Sequence, residues 1–571
     1  MGSGSENKEI VFADFEFRAG AGERQKPICL VAYELKSGRK HRVWEDELLK
    51  MKQPPYPVGK DSIFVAYYAP AELGCHLALN WPMPENVYDL FTEFRVCTNG
   101  MPTPRGSGLL GSLSFFGLPT IDAMHKDKMR DLALRGDPWT EKEKADLLAY
   151  CESDVKQLPA LFQRILPRTD IKYALVRGDY MKAVAEMEFN GIPIDVERLR
   201  IIQENWESII DQLINEVDRH YGVYEGRTFK RKKFEDWLDV QNIPWPRLAS
   251  GQIDLKVDTF RDMAKSYPEI MPLKELRSSL GQLRLNDLEV GSDGRNRCML
   301  SAFKAKTGRN LPSSSKYIFG PSVWILSLIR PEPGCGIAYV DWSQQEFGIA
   351  AVLSKDSRMI EAYESGDPYL AFAQQAGAIP KGGDGEKFSP IREQFKACAL
   401  GVQYGMGAAS LAKRINQPHD RARELLRAHR QSYPRFWEWS DAVADHANLY
   451  QCLNTTFGWQ ICLNGVTNTR SFRNFPMEAN GAEMLRFACC LALKAGVKVC
   501  GPIHDAILIE AKTDELDEKA RLTQKCMAEA SALVLGGIRL RTDCNKVIYP
   551  DRYIDPRGRE MWETVCRILK L

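Results

Sequence analysis

The sequence predicts an α/β protein built from more than one domain. Its 571 residues exceed what a single hydrophobic core supports. Apolar runs of strand length carry carboxylates at Ile10 to Phe17 and Ile337 to Asp341, and long stretches of helical period separate them. Apolar content of 44% with 27% charged residues is that of an ordinary globular chain. A net charge of +2 neither announces nor excludes a nucleic-acid partner, because a groove can be basic on a nearly neutral protein. Fifteen cysteines lack paired metal-ligand spacing, and there is neither an 18-residue apolar run nor a signal peptide. A soluble, cytoplasmic protein with reduced thiols and no membrane association is expected, acting as a monomer.

In chain order, the alternation of Ile10 to Phe17 puts Asp14 and Glu16 on one strand face. Thr140-Glu141-Lys142-Glu143 has the form of a capping box and opens a helix through Leu147, Leu148, Val155 and Leu158. On that helix Tyr150 and Asp154 stand four apart and share a face. Leu166-Pro167-Arg168-Thr169 reads as a domain boundary, and a helical stretch follows to Val217. The run Arg227 to Phe234 places Lys230, Arg231, Lys232 and Lys233 between aromatics, which suits either a solvated face or contact with phosphates.

Ile337-Ala338-Tyr339-Val340 is a strand that aims Asp341 from its end, and Glu346 follows on a segment that turns helical. Ser389-Pro390 starts a helix that Gly405 stops. Arg392, Lys396, Leu400 and Tyr404 stand four apart on it, so they precess by about 40° and line one broad face. Two cations, an apolar side chain and an aromatic in that order suit a triphosphate, a sugar and a base. Val497 to Ile503 and Ala506 to Glu510 read as two strands with His504-Asp505 at their connection. Asp341 and Asp505 could hold two Mg²⁺ ions roughly 3.5–4 Å apart, the spacing of two-metal phosphoryl transfer. Taken singly, each pattern also has a plain reading as a turn former, a helix cap or a solvated amphipathic helix.

In this order the three stretches resemble motifs A, B and C of family A DNA polymerases, the class of bacterial DNA polymerase I, and most of all its phage-type members. Motif A of the family, Asp-Tyr-Ser-Gln-Ile-Glu-Leu-Arg, aligns with Asp341-Trp342-Ser343-Gln344-Gln345-Glu346-Phe347-Gly348. Motif B, Arg-x₃-Lys-x₃-Phe-x₃-Tyr-Gly, is matched except at Leu400, and motif C, His-Asp-Glu, except at Ala506. The resemblance implies an RNase H-like 3′→5′ exonuclease domain over 1–170 and a right-hand polymerase over 171–571. The thumb would lie at about 175–300, the palm at about 301–380 and 440–571, and the fingers at about 385–440.

The resemblance also implies roles. Asp341 and Asp505 would bind two Mg²⁺ per site, with Mn²⁺ able to substitute, and dNTPs would meet Gln344, Glu346, Arg392, Lys396, Leu400 and Tyr404. Glu346 would act as a ribose filter. Primer-template DNA would meet His504, the basic run at Lys230 to Lys233, and Arg309 of Thr307-Gly308-Arg309, an Arg that checks pair shape in the minor groove. A helix opened by Arg470 to Glu478 would bring Arg470, Asn474 and Glu478 along the DNA, Glu478 standing where Gln is usual. Tyr369 in Gly366-Asp367-Pro368-Tyr369 replaces a usual His. Asp14, Glu16 and Asp154 with Tyr150 resemble a DEDD exonuclease whose middle carboxylate is Glu72, with Tyr68 where Asn is usual. Replication accessory proteins are expected partners. Glu346 and the exonuclease motifs argue against a single-subunit RNA polymerase, and intact Asp341, Asp505 and Lys396 against a non-catalytic DNA-binding protein.

Overall fold

In the computed structural model, residues 8–571 are described apart from 121–122, 249, 282–286, 321, 384 and 464–468. The first unit is a mixed five-stranded sheet of order β3-β2-β1-β4-β5. Strands β1 (Glu9–Arg18), β2 (Lys26–Glu34) and β3 (Lys40–Trp44) form an antiparallel meander, while β4 (Ser62–Ala66) and β5 (Val87–Asp89) run parallel to β1. Alternation along β1 serves two cores. Val11, Ala13 and Phe15 face one, together with helices α1 (Pro70–Ala78) and α4 (Ile171–Asn190). Phe12 faces the other, against Leu158, Leu161 and Phe162 of α3 (Glu141–Ile165). The capping box of α3 forms as expected: Glu143 N donates to Thr140 Oγ1 (3.2 Å), and Thr140 N donates to Glu143 Oε2 (2.8 Å). Helix α2 (Leu90–Thr98) follows β5 directly and is capped by the buried Asp89, which accepts from Thr92 N at 2.6 Å.

Helix α4 joins the two halves of the molecule. Gly178 passes so close to β5 that a Cβ there would lie 1.8 Å from the Val87 carbonyl oxygen, which only glycine permits. Tyr180, Met181 and Val184 of α4 belong to the same continuous core as the second sheet, so the two halves share buried surface. The second sheet has the order β9-β10-β6-β11, all antiparallel. Its strands are β6 (Cys335–Trp342), β9 (Lys498–Ile503), β10 (Ala506–Lys512) and β11 (Thr542–Ile548). Asp341 therefore lies at the end of an inner strand, opposite Ala506 on one side and Asp543 on the other.

Around this sheet stand α5 (Gln345–Ser354), α6 (Ser389–Gln403), a short hairpin of β7 (Cys452–Asn454) and β8 (Gln460–Cys462), and the long α7 (Thr469–Lys494). Helix α6 takes the expected bounds, with Pro390 in its first turn and Gly405 just beyond its end at φ +64°. All fifteen cysteines are free of disulfide bonds in this structure. Among the described residues, no helix is long and apolar enough to cross a membrane.

Candidate active sites

The register of the second sheet builds the first site. Asp341 and Asp505, the latter in the two-residue turn between β9 and β10, come close enough to share a proton. His504, the other turn residue, has φ +55° and points into solvent. Burial, then the charges of Asp505 and Asp543, push Asp341 up to about 7. Burial likewise raises Asp505, opposed in part by Arg309 and His504. Asp341 Oδ1 is buried and has no hydrogen-bond partner in the protein. Two adjacent carboxylates held against their own repulsion, one with an orphaned oxygen, form a donor set that fits a hard divalent cation.

Motif A wraps this pair. Ser343 N donates to the Arg541 carbonyl (2.9 Å), and Gln344 takes a left-handed φ of +49° to start α5. Gln344 Oε1 accepts from Arg541 Nη2 (3.2 Å). On α6, Phe395, Cys398, Ala399 and Val402 are buried, which leaves Arg392, Lys396 and Leu400 on the open face, with Tyr404 exposed just past the helix end rather than on the helix as expected. Arg392 Nε donates to Asp367 Oδ2 (2.5 Å), while Lys396 Nζ stands 3.7 Å from Glu393. The Tyr369 ring lies within 6.0 Å of both cations, so the residue that replaces a histidine supplies an aromatic face to each.

Tyr404 Oη donates to Glu346 Oε1 at 2.6 Å, tying the end of motif B to motif A. Arg309 stands 3.9 Å from Glu346 and 3.8 Å from Glu478, and Asn474 Nδ2 donates to Glu478 Oε1 (2.6 Å). The carboxylate at Glu478 is therefore offset by Arg309, a relation invisible in the sequence. Arg470 opens α7, but its side chain lies outside the described residues.

The basic run is less free than its composition suggests. Lys230 and Lys233 both pair with Glu225 (3.1 and 3.0 Å), Lys232 pairs with Asp236 (2.8 Å), and Arg231 bonds Gln252. These are surface pairs worth little, which phosphates can displace.

Sequence reasoning missed Asp543 and Arg541. Asp543 lies opposite Asp341 in register, acts on its charge, and accepts from Ser343 Oγ at 2.6 Å. Directly opposed residues of a sheet project on the same face, so Asp543 brings a third carboxylate to the side of the sheet where Ala506 brings none. Its edge strand lacks an apolar period, which left no signal to find it by.

The second site lies on β1 and α3. Asp14 and Glu16 project on the α3 side of the sheet, where Tyr150 and the buried Asp154 meet them. Glu72 of α1 reaches the same place: burial first, then the charges of Asp14, Glu16 and Asp154, raise its pKa. Its Oε2 accepts from Phe15 N (2.7 Å), the peptide between the two β1 carboxylates. The four expected carboxylates therefore act on one another's charge, but among the described residues only Asp14 and Glu16, with Cys151, bring donor atoms within 4.8 Å of one another. Cys151 Sγ lies within 4.8 Å of donor atoms of Asp14 and Glu16, but it donates to the Asp14 carbonyl, and burial raises its pKa well above the thiol range. Tyr68 has φ +68° and turns elsewhere: it packs edge-on against Phe91, and burial first, then the charges of Glu188 and Asp89, raise its hydroxyl pKa. It does not stand in for the amide expected at that place.

A β-hairpin carboxylate against a central strand, faced by a cationic helix and backed by a mixed α/β unit, defines the class of right-hand nucleotide polymerases. Residues 323–546 match the model of DNA polymerase family A, and that segment is a family A polymerase domain. The chain is 24% identical over 382 residues to DNA polymerase I of Aquifex aeolicus, covering 63% of this chain and 64% of that protein. It is also 24% identical over 393 residues to the thermostable DNA polymerase I of Thermus thermophilus, covering 64% and 46%. The chain thus spans between about half and two thirds of the length of these relatives. Among solved structures, the POL domain of Pol1 from M. smegmatis, in complex with DNA primer-template and dNTP, superposes with a TM-score of 0.73. That match has 16% identity and covers 95% of this chain and 96% of that one, and it shows the shared fold.

Proposed function

We propose that the chain is a template-directed, DNA-dependent DNA polymerase with a 3′→5′ exonuclease. The observation that carries this reading is the meeting of Asp341 and Asp505 together with an α6 face that presents Arg392, Lys396 and Leu400 in order, tied to motif A by the bond from Tyr404, just past its end, to Glu346. In this reading residues 1–170 are the exonuclease domain, and 171–571 the polymerase, with thumb, palm and fingers divided as the motifs suggest. The phage-type character of the motifs assigns the activity to phage genome replication.

Asp341 and Asp505 would hold two divalent ions, for which Mg²⁺ is the natural choice, and these would activate the primer hydroxyl and stabilise the leaving pyrophosphate. Arg392 exchanges Asp367 for incoming phosphate, and Lys396, one turn on, adds a second charge over the same Tyr369 face. Leu400 packs on the sugar. Tyr404 holds the Glu346 carboxylate where a 2′-hydroxyl would collide with it. Primer-template DNA lies between Arg309 and α7. The test is a 5′-labelled primer on a template with Mg²⁺. With dNTPs it lengthens, without them it shortens, and a primer unchanged in both lanes overturns the reading.

Two further outcomes follow from the site. Glu346→Ala should raise ribonucleotide use relative to deoxynucleotide use by roughly tenfold or more, because the exclusion is steric. An unchanged ratio in single-nucleotide incorporation would place the filter elsewhere. Leu400 has no hydroxyl to stand in for a missing 3′-OH, so dideoxynucleotides should be poor substrates. Leu400→Tyr should improve their use roughly tenfold, the scale set by gaining one polar contact in the transition state. Chain-termination assays at matched dideoxy/deoxy ratios measure this.

A further inference from the structure

Three side chains on or just past helix α2 of the first unit, Glu93, Arg95 and Asn99, make polar contacts with the polymerase part. Both oxygens of the buried Glu93 accept from Arg177 at 2.6 Å, and Arg177 Nη1 donates onward to the Phe457 carbonyl (3.1 Å). Arg95 donates to the carbonyls of Phe303 (3.4 Å) and Lys304 (3.0 Å). Asn99, fully buried just past the helix end, donates from Nδ2 to the carbonyls of Lys306 (2.7 Å) and Gln460 (2.8 Å). Its own carbonyl accepts from Cys462 N (2.8 Å).

The other side of the 303–309 loop is held by the palm. Trp459 Nε1 also donates to the Lys306 carbonyl (2.9 Å), and Arg486 Nη1 donates to Gly308 (2.9 Å). Gly308 has φ +78°, and a Cβ there would press to 3.1 Å from the Trp459 ring. Four carbonyls between Phe303 and Gly308 are thus fixed, three of them by residues of the first unit. Arg309 is the next residue, and its guanidinium stands between Glu346 and Glu478.

We propose that Arg95 and Asn99 are positioning residues for Arg309. The first unit then sets discrimination against a mismatched primer end during synthesis, independently of its own nuclease chemistry. The inference rests on the assignment of Arg309 to the primer end. A guanidinium that must sit on a minor-groove acceptor tolerates little displacement, and loss of about 1 Å of placement costs on the order of 10²-fold in rate. Neither Arg95 nor Asn99 touches nucleotide in this reading, so any effect they have on fidelity passes through the loop.

The test measures single-turnover incorporation from matched and mismatched primers whose 3′-terminal linkage is a phosphorothioate, which blocks nuclease action. Parent, Asn99→Ala, Arg95→Gln, Arg309→Ala and Asn99→Ala/Arg309→Ala are compared well below their melting temperatures. Expected is a loss of matched-over-mismatched preference of roughly fivefold or more in Asn99→Ala, with no further loss when it is added to Arg309→Ala, as for residues acting through one group. Should Asn99→Ala fail to fold, Arg95→Gln, which removes two carbonyl contacts at a half-buried position, carries the test with the same expectation. If Arg309→Ala lowers the preference while Asn99→Ala and Arg95→Gln lower only the melting temperature, the positioning role is overturned and the assignment of Arg309 stands. An additive double variant also overturns it. If Arg309→Ala itself leaves the preference unchanged, the assignment of Arg309 fails first and this inference with it.

Discussion

Asp341→Asn is expected to abolish primer extension and, in the same protein, to raise stability above neutral pH when divalent ions are chelated. Loss of one metal-binding carboxylate removes several kcal/mol of transition-state stabilisation, so extension should fall at least ~100-fold. Primer-template affinity should stay within about threefold, since the carboxylate contacts no phosphate. The stability effect has the opposite sign. Asp341 is raised to about 7 by burial and by Asp505 and Asp543. In the unfolded chain it titrates near the ordinary aspartate value of ~3.9. Between those values the folded state holds a proton that the unfolded state has released, so the parent loses stability as pH rises from about 4 to about 7. The asparagine variant has no such loss. The gap at pH 8 should reach about 2 kcal/mol after allowance for solvent screening, and vanish at pH 4. Thermal unfolding in EDTA at the two pH values checks it. Equal midpoints at pH 8 would mean that the carboxylates are not held against their repulsion.

Asp14→Ala/Glu16→Ala should abolish degradation of a labelled single strand, again by at least ~100-fold, while leaving primer extension within about twofold of the parent. The two carboxylates sit on the first sheet, in the strand β1. Glu72→Gln provides a finer measure. Glutamine can still accept from Phe15 N, so the strand keeps its place, but the fourth charge is gone. Degradation should fall roughly tenfold or more if Glu72 serves with the other carboxylates, since a lost charge in a two-metal site is not absorbed by reach. A parent protein that extends a primer yet leaves a single strand intact with Mg²⁺ or Mn²⁺ would make the first unit a structural domain. Its contacts through Glu93, Arg95 and Asn99 would then belong to a purely structural contribution.

The sequence by itself determined the local parts. Alternation put Asp14 and Glu16 on one face of a strand, and the spacing of four aligned Arg392, Lys396 and Leu400. The Thr140 to Glu143 pattern fixed the start of the helix that carries Tyr150 and Asp154. Each of these follows from a period or a cap that acts over one or two turns. Only the tertiary structure decided which charges meet. Arg309 offsets Glu478, 169 residues away in the chain, and so accounts for a carboxylate beside DNA. Asp543 reaches Asp341 through strand register, which no local pattern on an exposed edge strand announces. Tyr68 occupies the expected position in the sequence, yet its left-handed backbone turns the ring toward Phe91 instead of the carboxylates. Lys230 and Lys233 read as a basic run but share Glu225. Periodicity places a side chain on a face of its own element. The partner across that face is set by how elements far apart in sequence pack, because burial and charge balance are satisfied by the whole fold.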